Sequence, residues 1–334
     1  MLRKLSLLLL LFLLFGLAGS IWYLSIRPVP LVDLVDQQPA DIVATNSTAE
    51  LTAAEPIVLT FLGDMMFDRN IRTKAEVSGY DFILAEVEQL WAESDLVVGN
   101  LEAPITDADS VSQGSVVGST NNFIFTTDPA IIKVLNKYPF VAVLGNNHIH
   151  NFGTEGIIET ETNLEQAGIP FFGQTGYENS PTAVVVEVRG LKLALINYNQ
   201  FVAGGEAQVL ADLAELSQNT DLQIIYTHWG NEYEPEARPV IVELARRLVD
   251  AGADLIIGSH PHVIQNSETY RGAPIFYSLG NFVFDQYFSE AVRTGLVVTA
   301  TIHPQTLEIT TQESRVRMEA SGQTVPLEEN SRQL

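Results

Sequence analysis

The stretch Leu255-Ile256-Ile257-Gly258-Ser259-His260-Pro261-His262-Val263-Ile264-Gln265 is a strand-length apolar run that ends at a glycine and delivers two histidines, two residues apart, just past its carboxyl end. In open α/β sheets that end of a strand is where ligands bind. A His-x-His pair in extended backbone points both imidazoles to one side, toward a metal or the flanks of a small anion. An isolated pair of this kind reads equally well as two loop histidines without a chemical role. Four further strand-like runs end in the same way, and their convergence weighs against that bland alternative.

The first of them, Ile57-Val58-Leu59-Thr60-Phe61-Leu62, breaks at Gly63-Asp64-Met65-Met66. Asp64 there either offers a carboxylate at the sheet end or caps the next helix. Arg69, a turn further on, is placed to pair with Asp64 or with a substrate anion. The second run, Asp95 to Gly99, is followed by Asn100-Leu101-Glu102, and the third, Phe140 to Leu144, runs into Gly145-Asn146-Asn147-His148-Ile149-His150-Asn151. A turn explains the asparagines but does not call for histidine. The fourth, Leu222 to Tyr226, ends in Thr227-His228-Trp229-Gly230-Asn231-Glu232-Tyr233.

Between these runs the apolar spacing predicts helices over 81–91, 128–135, 154–166 and 236–251. A hairpin is expected from 183–188 and 192–198, a short strand at 123–125, and late strands at 296–302 and 307–312. The Ser/Gly/Thr-rich stretch 103–122 reads as a long loop over the site, either a lid or specificity loop or ordinary surface. Strands and helices alternate in the middle and hairpins sit near the ends, so a mixed α/β sheet system covered by helices is expected over 56–312, followed by a polar tail over 313–334.

With 334 residues, 46% of them hydrophobic, the chain has ample material for one large α/β core. Arg3 and Lys4 precede an apolar run from Leu5 to Ile26, close to the ~20 residues a bilayer core requires. A cleaved signal peptide competes, since Gly16-Leu17-Ala18-Gly19 offers small residues. An uncleaved anchor over 1–26 is favoured, because apolarity continues through Ile21, Trp22 and Tyr23, which suit an interface. Either way the remainder is expected outside the cytoplasm, at the cell membrane and, with the anchor retained, single-pass. Residues 27–55, with three prolines and five acidic side chains, read as an extended tether. Without cysteine the core alone must hold the fold. A formal charge of -23 argues against nucleic acid, and a polyanionic substrate would need bound cations or a local basic patch to approach.

Asp64, Asn100, Glu102, Asn147, His148, His228, His260 and His262 mix hard oxygen and imidazole donors, a set suited to manganese, zinc or iron. A two-metal hydrolase holds its ions ~3.5–4 Å apart and needs a proton donor for the leaving group. Four of the six histidines fall at these sheet ends, while His150 and His303 receive no role.

The ordered set Gly63-Asp64-Met65-Met66 with Arg69, Gly99-Asn100-Leu101-Glu102, Asn146-Asn147-His148, His228-Trp229-Gly230 with Glu232-Tyr233, Gly258-Ser259-His260-Pro261-His262 and Ser278-Leu279-Gly280-Asn281-Phe282 resembles the CapA family of capsule-synthesis or poly-γ-glutamate biosynthesis proteins. The likeness runs from about Ile57 to His303. It implies a four-layer α/β/β/α sandwich of the metallophosphatase (calcineurin-like phosphoesterase) type, a membrane-tethered extracytoplasmic place, and one or two divalent ions. It further implies an anionic capsule polymer or its precursor, and membrane-embedded synthase subunits, as partners. By position Asp64, Glu102, Asn147, His228 and His260 resemble metal ligands, His262 a ligand or phosphate contact, His148 the general acid and Arg69 an anion contact. Asn100, Glu232 and Asn281 are placed in the same pocket.

Three positions depart from related patterns. Ordinary metallophosphatases carry histidine where this chain has Met66 and aspartate where it has Asn100, and Asn151 stands where the family usually has aspartate. A thioether is a poor ligand for hard ions, and an amide removes a bridging charge. Three functions therefore compete: a capsule-polymer protein with a metal-dependent hydrolase site, a non-catalytic polymer-binding or scaffolding subunit, and a secreted metallophosphoesterase.

Overall fold

The computed structural model describes residues 31–33 and 55–327, so the anchor expected over 1–26 and most of the tether lie outside the described residues. Among the described residues no helix is long and apolar enough to cross a membrane.

Two β-sheets stack face to face. One runs in the order β1 (Leu31–Asp33), β6 (Ala183–Val188), β7 (Leu191–Asn199), β8 (Leu222–His228), β9 (Leu255–Ser259), β11 (Ala273–Phe276), β10 (Ser267–Tyr270). The other runs β15 (Thr324–Pro326), β14 (Glu308–Met318), β13 (Thr294–His303), β2 (Ile57–Met65), β3 (Leu96–Leu101), β4 (Phe140–Val143), β5 (Phe171–Phe172), with β12 (Asn281–Val283) also paired to β2.

Side chains alternate across a strand, so each buried strand serves two layers. Ile57, Leu59, Phe61, Leu96, Val98, Val141 and Val143 meet Val184, Val186, Leu193, Leu195, Ile224, Tyr226, Leu255 and Ile257 of the opposite sheet in one buried cluster. The intervening Leu62, Val97, Phe140 and Ala142 pack outward with α1 (Arg69–Ser78), α2 (Tyr80–Leu84), α3 (Ile132–Leu135) and α4 (Gly153–Ala167). On the far side α5 (Gly205–Leu216) lies on β7, and α6 (Pro239–Asp250) buries Ile241, Leu244, Ala245 and Leu248. The result is the expected α/β/β/α order of layers.

Strands β2, β3, β4 and β5 are mutually parallel, and so are β7, β8, β9 and β11. Parallel strands gather their carboxyl ends, and with them the polar residues that follow each glycine, at one rim. Tyr226 Oη donates to Leu62 O at 2.6 Å, a buried bond that joins the two sheets just below that rim.

Several local expectations are corrected. The helix predicted over 81–91 stops at Leu84 and gives way to a 3-10 turn at Glu88–Leu90, where Val87 N–H and Leu90 N–H reach back three residues. Residues 123–125 form no strand: Phe123 ends a 3-10 turn, Ile124 N–H returns to Asn121 O at 3.2 Å, and Phe125 N–H donates to Asn151 Oδ1 at 2.7 Å. The late strand continues to Met318 and pairs with β15, so part of the stretch read as a polar tail belongs to the sheet. Most of β14 is exposed, which is why its residues are polar, and only Val316 and Met318 are fully buried. Within the expected tether, Leu31–Asp33 pairs in parallel with Val185–Glu187 at the sheet edge.

Candidate metal centre

β2 carries a bulge between Leu62 and Asp64 that turns the Asp64 carboxylate into the rim. Gly63 is required there: a Cβ would stand 2.1 Å from Gly280 O, the same oxygen that accepts from Asp64 N–H at 3.0 Å. Asp64 Oδ1 accepts from Asn100 Nδ2 at 2.8 Å and Oδ2 from His260 N–H at 3.0 Å. Asn100 in turn accepts from Asn146 Nδ2 at 3.0 Å, so its amide is held from both ends.

Three imidazoles are set in one tautomer by their outer neighbours. Asn281 donates from Nδ2 to Val292 O, so its Oδ1, 2.9 Å from His262 Nδ1, accepts, and His262 must carry its proton on Nδ1. Asn151 Oδ1 accepts from Phe125 N–H and lies 3.1 Å from His148 Nδ1, which fixes His148 the same way. Ser259 Oγ donates its single proton to Thr227 O at 2.8 Å and so accepts from His228 Nδ1 at 2.9 Å. In each ring the free lone pair is then on Nε2. His262 Nε2 stands 3.5 Å from Glu102 Oε1 and His148 Nε2 stands 4.0 Å from it. His228 Nε2 faces Asn147 Oδ1 at 2.8 Å, two acceptors with no proton between them in this arrangement.

Burial keeps the His148, His228 and His260 rings neutral, with the neighbouring histidines adding to its effect. His148 is pushed down to about 4 and His260 to about 3, while His228, wholly buried beside His260, lies well below the usual imidazole range. The two carboxylates diverge. Burial raises Asp64, but the hydrogen bond and charge of His262, with His228 and Asn100, more than offset it and hold Asp64 ionised. Glu102 is raised well above the usual range by burial first and by the Asp64 charge second.

The donor set fits a divalent cation. Both oxygens of Glu102 are buried without a hydrogen-bond partner, a condition that costs several kcal/mol for an ionised carboxylate unless a positive charge answers it. Asp64, Glu102 and His262 each bring one ligand atom to within 4.8 Å of the others. Carboxylate and imidazole donors suit manganese, zinc or iron, and no thiolate is present to select a soft metal.

The remaining positions fall around this set. Asn147, His228 and His260 join the pocket, with the His228 and His260 rings 4.8 Å apart, and Glu232 lies on the exposed side near His260 and His262. Arg69 is close but engaged: its guanidinium pairs with Asp285 and lies over the Phe125 and Phe284 rings, 4.9 and 5.4 Å from their centroids. Met66 is turned away, its Sδ accepting from Asp68 N–H at 3.0 Å within a buried group of Ala103, Phe125 and Phe284. The 103–122 loop is pinned to the start of α1, where Ser110 Oγ donates to Asp68 Oδ1 at 2.6 Å and Arg69 Nη1 to Asn122 O at 3.4 Å. Ser259 and Asp285 were not singled out from the sequence. Ser259 stands inside the opening stretch, and Asp285 closes the alternating Phe282-Val283-Phe284 run.

Replacing Asn281 by alanine frees the His262 ring to turn or change tautomer. Loss of such an outer-shell partner is expected to weaken divalent-ion binding ~10–100-fold. Isothermal titration of the stripped protein with Mn2+ measures it.

The paired sheets, the flanking helices and a carboxylate–imidazole pocket at the shared rim define a metallophosphatase-like fold. The family model described as bacterial capsule synthesis protein PGA_cap matches residues 58–286, and the chain belongs to that family. It is 31% identical over 263 residues to the capsule biosynthesis protein CapA of Bacillus anthracis, covering 73% of this chain and 63% of that one. It is 31% identical over 256 residues to the PGA biosynthesis protein CapA of Bacillus subtilis (strain 168), covering 71% and 66%. The aligned part thus spans just under two thirds of either relative. A crystal structure of a hypothetical protein from Thermus thermophilus covers 77% of this chain and 99% of its own, at 14% identity and a TM-score of 0.46.

Proposed function

We propose that this chain works outside the cytoplasm in making or exporting an anionic capsule polymer of the poly-γ-glutamate kind, tethered to the membrane through residues 1–26. Its pocket is a metal-dependent hydrolase site for a phosphoester or amide bond in the polymer or its precursor. The family and the two Bacillus relatives support the biological part. Glu102 carries the chemical part: a buried carboxylate with both oxygens unpartnered, facing Asp64 and His262, is prepared for a cation.

Asp64, Glu102 and His262 would hold a divalent ion, which when bound would supply Lewis acidity toward a phosphoryl or carbonyl oxygen. His148 exchanges its proton with the leaving group at Nε2, because Asn151 retains Nδ1–H. The ring is neutral at rest, so Nε2 first takes the proton released by the attacking water and then hands it to the leaving group. Arg69, held over two phenyl rings, contributes positive charge beside the pocket and meets a substrate anion by sharing its guanidinium with Asp285.

Turnover of bis(4-nitrophenyl) phosphate and of a γ-glutamyl anilide, with and without Mn2+, tests this reading. We expect Mn2+-stimulated cleavage of one of them, reduced ~10²–10⁴-fold in His148→Ala with bound metal unchanged. Metal binding without turnover of either would instead support a non-catalytic subunit that uses the pocket to hold polymer or synthase. One observation favours that second reading: Met66 faces an apolar cluster and Asn100 is locked as a neutral amide, so two donors of an ordinary dinuclear site are missing.

A further inference from the structure

A second grouping of ligand-type atoms borders the pocket and shares His262 with the Asp64–Glu102 set. Glu232, His260 and His262 bring one ligand atom each to within 4.8 Å of one another. Glu232 is exposed on the turn after β8, and that turn is fastened to the β9 turn by Tyr233 N–H donating to Pro261 O at 2.8 Å. His260 is 4% exposed, and its Nδ1 is buried without a hydrogen-bond partner. His260 and His262 both adopt left-handed backbone, φ 95° and 57°, and Tyr233 does too at φ 64°. Non-glycine residues hold such conformations only where the surroundings enforce them, and they cluster at ligand sites.

Charge separates the two groupings. The inner one already has two carboxylates, Asp64 and Glu102, and His262 Nε2 lies 3.5 Å from Glu102, so the single free nitrogen of that ring serves the inner position. Asn147, His228 and His260 on the other flank are neutral donors, Asn100 offers an amide, and Met66 Sδ is turned away. Neutral donors alone leave a divalent ion poorly compensated. Glu232 is the carboxylate that reaches His260.

We infer that Glu232 is the anionic ligand of a second, solvent-facing divalent-ion position centred on His260, outside the Asp64–Glu102–His262 position. This rests on the metal reading of the pocket given above and extends it. Met66 and Asn100 stand where ordinary members of the fold carry a histidine and an aspartate, so one imidazole and one carboxylate of the usual set are absent here. In this chain the missing charge enters from the opposite sheet, on a turn that solvent reaches. The outer position therefore exchanges its ion more readily and leaves coordination places open to an anionic substrate oxygen.

The full 334-residue chain would be stripped with chelator and titrated with Mn2+. Bound manganese would be counted by mass spectrometry after gel filtration, and the spin state read by low-temperature EPR. About two ions per chain with an exchange-coupled signal are expected for the wild type, as for ions a few ångströms apart. In Glu232→Gln the weaker site is expected to lose at least ~10-fold in affinity and the coupled signal to give way to that of isolated Mn2+, with unchanged melting in chelator because the side chain is exposed. Glu102→Gln is expected to remove the inner ion. A Glu232→Gln protein that holds as many ions as the wild type, with the same affinities, overturns the inference. So does a wild type that binds one ion, lost in Glu102→Gln but kept in Glu232→Gln, and this leaves the inner site standing. A wild type that binds none overturns both.

Discussion

Asp64→Asn is expected to cost the pocket its ion and the fold part of its stability. Both carboxylate oxygens accept from donors that cannot reverse, since Asn100 Nδ2 is oriented by Asn146 and His260 contributes a backbone N–H. An amide at 64 has one acceptor, so whichever way it turns, its NH2 meets a buried donor. Leaving one such group unmatched costs about 1–3 kcal/mol, which lowers the melting temperature by roughly 2–12 °C in a body of this size. The drop should persist in chelator, because it arises from hydrogen bonds. Loss of a carboxylate ligand should weaken Mn2+ binding by more than the ~100-fold upper bound for outer-shell changes. Differential scanning fluorimetry and metal titration read the two effects separately.

Gly63→Ala is expected to have the larger structural effect. The added methyl would lie 2.1 Å from Gly280 O and 3.1 Å from its carbonyl carbon, and both are backbone atoms. No rotamer relieves such a clash, so β2 and the segment entering β12 must part where Asp64 N–H is bonded. Overpacking of a rigid core costs about 1–3 kcal/mol and more when backbone must move. A fall in melting temperature of at least ~6 °C, or failure to accumulate folded protein, is expected by thermal unfolding of the purified variant.

The rim was legible because each contributing strand announces itself. An apolar run, a glycine and a polar side chain in sequence need only the rule that parallel strands gather their carboxyl ends to predict convergence, and Asp64, Glu102, His228, His260 and His262 do converge. The tautomers were not legible, since they are imposed by Asn281, Asn151 and Ser259, amides and a hydroxyl of a kind common in any loop. Nor does local sequence say where Met66 goes: its thioether is drawn inward by Ala103, Phe125 and Phe284, which arrive from distant parts of the chain. The 81–91 error has a similar origin. The apolar spacing places Phe82, Leu84, Ala85, Val87 and Leu90 on the covered face; Leu84 and Val87 are buried there, but Ala85 is exposed and Ile83 and Trp91 are buried instead, because the chain leaves the helix after Leu84.

The two sheets divide the donor chemistry between them. Around the inner position oxygen comes from the layer built on β2, β3 and β4, through Asp64, Glu102 and Asn147, while nitrogen comes from the layer built on β8 and β9, through His228, His260 and His262, to which the turn after β8 adds the Glu232 carboxylate. A cation seated at the rim would act as a rivet across the seam that Tyr226 already bridges from beneath. Neither slab could then slide against its neighbour without tearing the coordination sphere, so the occupancy of the rim and the rigidity of the whole sandwich would rise and fall together.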